Sequence, residues 1–309
     1  MRLSPLSLRV VALSWGTALI LWPLAWLLLA VAQGAGTAMA GGGWIGVAVP
    51  LGAHPWGIVN EPSVAFAGSR AALLLYWLAP PLMALAVAVV APTLLPVPPG
   101  WLAEVGVFQI AVASSVLGLG VAARLGAADG PAAGLALFWG VPVRVFQVVS
   151  ALLGVIVVQL AVARFAGHLW SEPNGPTRSR RLLLAVVHAF PPAVGWAAAV
   201  LALGWALPPG ALLGGGAVLA GAVFGAWRWM PRSPLHPRPE LTVRRVVAVW
   251  VVAVVVFGAA VWAGAPRLGH GTALVWGVPG MTNNVRTGMA VVRLTPLPAP
   301  KRPPARSTP

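Results

Sequence analysis

Polar residues interrupt the chain only at intervals, and between them run seven apolar stretches: 9–32, 71–95, 101–123, 144–164, 182–206, 210–230 and 245–265. Each approaches or exceeds the roughly 20 residues that an α-helix needs to cross a hydrocarbon layer about 30 Å thick. The pattern predicts an all-α, polytopic integral membrane protein of about seven transmembrane helices. Residues 34–69 form a Gly-rich connection carrying Trp44, His54, Trp56 and Glu61. With 271–295, which alternates weakly around Trp276 and Val291-Val292, it is expected to form a small external cap containing some strand. The last stretch, 296–309, is Pro-rich and basic and is expected to be disordered.

Composition sharpens the class. Of 309 residues, 59% are hydrophobic and 8% charged, against roughly 25% charged in a water-soluble domain. An ordinary soluble enzyme, a disordered chain and a disulfide scaffold are all excluded. The absence of cysteine removes disulfides, thiolate metal sites, iron–sulfur clusters and a Cys nucleophile. The Ala, Gly, Val, Pro and Arg bias reads as a GC-rich, prokaryotic coding sequence. A net charge of +15 would suggest a nucleic-acid partner in a soluble protein. Here the basic residues sit between apolar runs and mark topology, so no nucleic acid is expected.

Arg164, Arg178, Arg180 and Arg181 flank one connection, and Arg228, Arg232, Arg238, Arg244 and Arg245 flank another two helices later. Both are expected to be cytoplasmic, and Arg2 and Arg9 place the N-terminus inside as well. Seven spans then leave the C-terminus outside, in a plasma (inner) membrane. The first segment has a second reading, a signal peptide ending at Ala38-Met39-Ala40. Its apolar core is longer than the usual 7–15 residues, which favours an N-terminal transmembrane helix over 1–33.

The rare residues point to a duplication. His54-Pro55-Trp56, Glu61-Pro62, Ser69-Arg70, Pro80-Pro81 and Pro98-Pro99-Gly100 recur in order as His168-Leu169-Trp170, Glu172-Pro173, Ser179-Arg180, Pro191-Pro192 and Pro208-Pro209-Gly210. Glu-Pro and His-x-Trp matches carry weight because the chain has only five acids and five histidines. The expectation is two three-helix repeats, 70–168 and 169–270. An odd number of spans inverts one unit against the other, a construction used by secondary transporters.

Chemistry is sparse. Pro80-Pro81, beside Trp77, and Pro191-Pro192 fall about ten residues into matching helices, near the bilayer midplane. Proline removes an N–H and frees carbonyls there, so paired proline-broken helices point to a solute site, with packing kinks as the simpler account. Glu104, Gln109, Gln159 and His188 are expected in one layer of the inner half, where a Glu–His pair would carry a proton. The simpler account is an interfacial Glu104 and a His188 bonded to a carbonyl released by Pro191. Arg144 and Gln147 open the fourth span, the arginine snorkelling to the surface. Gly221 and Gly225 form a small-xxx-small packing motif.

No catalytic triad motif, zinc-protease helix motif or nucleotide loop occurs, so no catalytic residue, cofactor or metal is expected. The leading expectation is a transporter-like or solute-binding protein taking a neutral or lipophilic cargo at the midplane. The alternatives are a non-catalytic subunit of a larger membrane complex, with other membrane subunits as partners beside the lipid bilayer, and a lipid-modifying enzyme using Glu104 and His188.

Overall fold

Apolar runs without alternation have one way to satisfy their backbone in lipid, which is to form helices. The computed structural model, describing residues 5–40, 44–48, 57–59, 70–94, 100–127, 131–169, 178–202, 208–228, 240–264, 272–275 and 290–293, is helical apart from one small sheet. The helices are α1 (Pro5–Met39), α2 (Arg70–Thr93), α3 (Trp101–Ser115, continued by a π-helical turn Val116–Val121), α4 (Pro131–Trp139), α5 (Val143–Leu169), α6 (Arg178–Ala202), α7 (Pro209–Arg228) and α8 (Val243–Gly264). Among the described residues, five contain stretches long and apolar enough to cross a membrane: Leu8–Met39, Leu74–Thr93, Trp101–Val121, Val143–Phe165 and Val243–Trp262. In α6 and α7 the described residues hold shorter apolar stretches, Val186–Ala202 and Pro209–Gly221. The short helix α4 lies in a connection that the hydropathy pattern treats as a loop.

The strands β1 (Trp44–Ala48), β2 (Gly57–Val59), β3 (Thr272–Val275) and β4 (Ala290–Arg293) form one antiparallel sheet in the order β2-β1-β3-β4. The segment after α1 thus pairs with the segment after α8, Gly46 opposite Val275. The indole of Trp44 lies against Gly34 near the end of α1, which fixes the sheet to that end of the bundle. The tail 296–309 and the landmarks His54-Pro55-Trp56, Glu61-Pro62 and Glu172-Pro173 lie outside the described residues.

At the bundle's centre is α1, packed on α2, α3 and α8 and, less extensively, on α6. Its Trp22, Trp26 and Leu29 are buried in the main cluster, so the first segment is an integral part of the folded bundle. Bilayer lipid is as apolar as leucine, and helices associate there through close packing of small residues and interhelical hydrogen bonds. The α5–α7 contact follows that rule: a Cβ on Gly154 would come within 2.6 Å of Val218, and one on Gly221 within 2.8 Å of Val155. The partner of Gly221 is therefore α5 of the same chain, while the surroundings of Gly225 lie outside the described residues. The π-helical turn is held similarly. Gly118 faces Ala84 of α2, the backbone of Gly120 meets that of Gly214 on α7, and Ser150 of α5 donates a 2.8 Å hydrogen bond to the Leu119 carbonyl.

The end of this helix turns through Arg124 (φ 47°) and Gly126 (φ 80°). Gln147 of α5 caps it, its Nε2 donating to the Arg124 and Ala127 carbonyls at 2.7 Å each. Arg144, one turn earlier, is exposed.

The helices of the two expected three-helix repeats pack differently. In the first, α3 packs on both α2 and α5; in the second, α7 packs on α6, but α8 leaves its unit and packs on α1. Trp250 of α8 donates to the Ala12 carbonyl at 2.9 Å, with Gly16 beside its ring, and Arg9 of α1 donates to the Leu241 carbonyl at 3.1 Å.

A bulky side chain at the Gly120–Gly214 contact tests this packing. Gly214→Val should cost about 1–3 kcal/mol by overpacking, read as a lowered thermal unfolding midpoint in detergent. Gly258→Val, on α8 where a Cβ meets nothing within 4 Å, should leave the midpoint unchanged. Equal midpoints for the two variants would refute the contact.

Candidate functional site

The helix α6 runs without a break from Arg178 to Ala202 through Pro191 and Pro192, and α2 runs likewise through Pro80, Pro81 and Pro92. The expectation of proline-broken helices is corrected to continuous ones. Proline at position i removes the donor to the carbonyl at i−4, so Pro191 and Pro192 leave the carbonyls of Val187 and His188 without helical partners. Side chains from two neighbouring helices take their place. Trp15 Nε1 of α1 donates to the Val187 carbonyl at 3.0 Å. Gln109 Nε2 of α3 donates to the His188 carbonyl at 3.0 Å and to Ser14 Oγ of α1 at 2.7 Å. Both hydrogens of the Gln109 amide are used, and α1, α3 and α6 meet at this node. An unpaired backbone group in hydrocarbon costs several kcal/mol, which is why the helix stays whole.

One turn further along α6 lies a cavity of about 310 Å³ between α1, α6 and α8. Its walls are Trp15, Trp22, Trp196, Trp250 and Phe257, together with Pro191, Pro192 and Gly195. Among the described residues, no charged side chain lines it. Two of its indoles, Trp15 and Trp250, point their N–H groups at backbone carbonyls and so present their ring carbons elsewhere. A Cβ on Gly195 would meet nothing within 4 Å, so the glycine keeps space that any side chain would take. The cavity sits where α8, drawn to α1, fails to close against α6.

The other sequence candidates distribute differently. Pro80 and Pro81 lie on α2, which makes no extensive contact with α6, so the two proline pairs do not face a common site. Trp77 packs its indole over Gly134 of α4 and edge-on to Tyr76, ring centroids 4.6 Å apart. Glu104 is 1% exposed, and its carboxylate lies 3.6 Å from Arg164 Nε of α5. This ion pair borders a second cavity of about 260 Å³ between α2, α3 and α5. Phe108 and Phe165 stack beside it at 4.3 Å.

His188, fully buried, stands edge-on to Phe165 at 5.0 Å, and its ring nitrogens have no hydrogen-bond partner among the described residues. The proton-carrying Glu104–His188 pair is thus replaced by a Glu104–Arg164 pair, because α5 brings its terminal arginine to the start of α3. The carbonyls released by the prolines go to Trp15 and Gln109, not to the His188 ring. Gln159 is half-buried on α5 and makes no hydrogen bond among the described residues.

Sequence reasoning missed Ser14, Trp15, Trp22, Trp196 and Trp250, and took Arg164 only as a topology marker. A serine inside the first apolar run was the available signal, since polar residues within spans usually face the bundle interior.

The polar node predicts an asymmetry between the two glutamines. Gln109→Leu should lower stability by about 1–3 kcal/mol, the cost of leaving a buried carbonyl unpaired, seen as a reduced unfolding midpoint in detergent. Gln159→Leu should stay within about 0.5 kcal/mol of the parent. No protein-family model, curated protein or solved structure matches this chain.

Proposed function

We propose that this is a seven-span plasma-membrane protein that binds a neutral lipophilic solute, taken from the bilayer, in the cavity between α1, α6 and α8. The observation that carries the reading is the aromatic, uncharged lining of that cavity beside Pro191-Pro192. Ligand sites are typically apolar concavities of about 300–1,000 Å³, which this volume just reaches. Both carbonyls freed by the proline pair are already engaged, so they do not recruit an ion or a water chain. That chemistry favours a cargo held by contact with indole faces over one held by charge, and it suits passive exchange with lipid better than ion-coupled transport.

In this reading the arginine-bearing end of the bundle, with Arg9 and Arg164, faces the cytoplasm, and the sheet faces outside. The recurring landmarks make the two units a duplication, and three spans in each then invert one against the other. The departure of α8 from its unit then has a functional sense, since it leaves the gap that the solute enters.

Two measurements test the proposal. In this cysteine-free chain, a single Cys at position 174 should resist a membrane-impermeant thiol reagent applied from outside, and one at position 272 should react; the reverse labelling would overturn the orientation. Gly195→Leu fills the cavity. It should weaken binding of a photoactivatable octyl alcohol by about tenfold, a change of about 1.4 kcal/mol, with the unfolding midpoint retained. Undiminished cross-linking in this variant would refute the site.

A further inference from the structure

A third cavity lies on the opposite side of α6, with a volume of about 260 Å³, between that helix, α7 and the π-helical turn of α3. Trp22 and Trp196 line both this cavity and the one already described. Along α6, Pro191, Pro192, Gly195 and Ala199 face the first cavity, while Phe190, Ala193, Val194 and Ala197 face the second. Each set is spaced at three or four residues, the signature of one helical face. Trp196 falls between the sets, and its ring reaches beneath α6 to Trp22 of α1 at a centroid distance of 6.1 Å and an interplanar angle of 44°. This tilted indole pair is the partition between the two spaces.

We infer that the two cavities are the halves of one groove, passing under α6, that takes a single extended hydrocarbon chain of a bilayer lipid. The inference rests on the proposed solute site and specifies the class of its ligand.

Three observations favour a chain over a compact solute. The first half only just reaches the low end of ligand-cavity volumes and the second falls below it, while the two together lie well within the range. The second half, like the first, has no charged side chain in its lining, so recognition falls to hydrocarbon contacts. Its mouth is bordered by Val194 and Leu212, 62% and 47% exposed, apolar side chains that in the membrane stand against lipid, so the methyl end of a chain entering from the first half meets hydrocarbon and no water.

The small residues keep the path open. A Cβ on Gly195 in the first half, or on Gly216 in the second, would meet nothing within 4 Å. The anchors at Val187 and His188 hold α6 about two turns away from the partition, so the chain passes under a helix fixed at that point and more loosely packed beyond it. Movement of the Trp22 and Trp196 rings about their side-chain torsions joins the halves.

The test uses the full chain in lipid nanodiscs with two photoactivatable alcohols, one hexadecyl and one octyl, each carrying its diazirine at the methyl end. The hexadecyl probe should cross-link to the second half, at residues such as Ala197, Leu212 and Leu219. Gly195→Leu and Gly216→Leu should each weaken its binding by about tenfold, while the octyl probe responds to Gly195→Leu alone. A hexadecyl probe that labels only the first half, indifferent to Gly216→Leu, would overturn the continuous groove and leave the proposed solute site standing. Indifference of both probes to Gly195→Leu would overturn the solute site itself. If Gly216→Leu fails to fold, Gly216→Ala and the cross-link positions in the parent protein decide the same question.

Discussion

Prolines 191 and 192 take two N–H groups out of α6 inside an apolar bundle, and the carbonyls they release have to be bonded within the protein. Trp15 and Gln109 meet that requirement, and the arrangement around them follows. The indole of Trp15 sets how α6 lies against α1. The amide of Gln109, shared with Ser14, brings α3 to the same point. With α6 pinned at this level, the helix beyond it rests on small residues, and the spaces on either side of Trp196 remain open.

Close packing elsewhere works by a different rule. Where α5, α7 and the π-helical turn converge, glycines at 118, 120, 154, 214 and 221 bring backbones or methyl groups into contact that any side chain would prevent. Along that seam the helices are close-packed. The other half, where α8 is joined to α1 through Trp250 and Arg9, has no such glycine seam between α6 and α8. The close seam and the open gap between α6 and α8 thus follow from the same choice of neighbours.

The membrane class was legible from the apolar runs, and strand content near 44–59 and 271–295 from weak alternation and glycine. Pro191 was legible as a site marker because proline chemistry is local: the missing N–H is a property of the residue. Which groups compensate is not local. Trp15 lies 172 residues from Val187 and Gln109 lies 79 from His188, and nothing in their immediate sequence says which carbonyl each will meet. The same holds for Arg164. Read alone it is an end-of-span arginine, and only the meeting of α5 with α3 makes it the partner of Glu104. Depth along the spans grouped Glu104 with His188 in one layer, whereas depth carries no information about which neighbour each will find.

Sequence by itself determined that this chain is built from apolar helices, several long enough to cross a membrane, and that two pairs of prolines remove backbone donors from two of them, because hydropathy and backbone chemistry are properties of single residues and short windows. Tertiary structure alone decided that only one proline pair borders the aromatic cavity and that α8 leaves its unit for α1. The physical reason is that lipid solvates every apolar helix face about equally well. Hydrophobicity places the helices in the membrane but does not choose their neighbours, and that choice falls to a few directional hydrogen bonds and glycine contacts whose partners lie far apart along the chain.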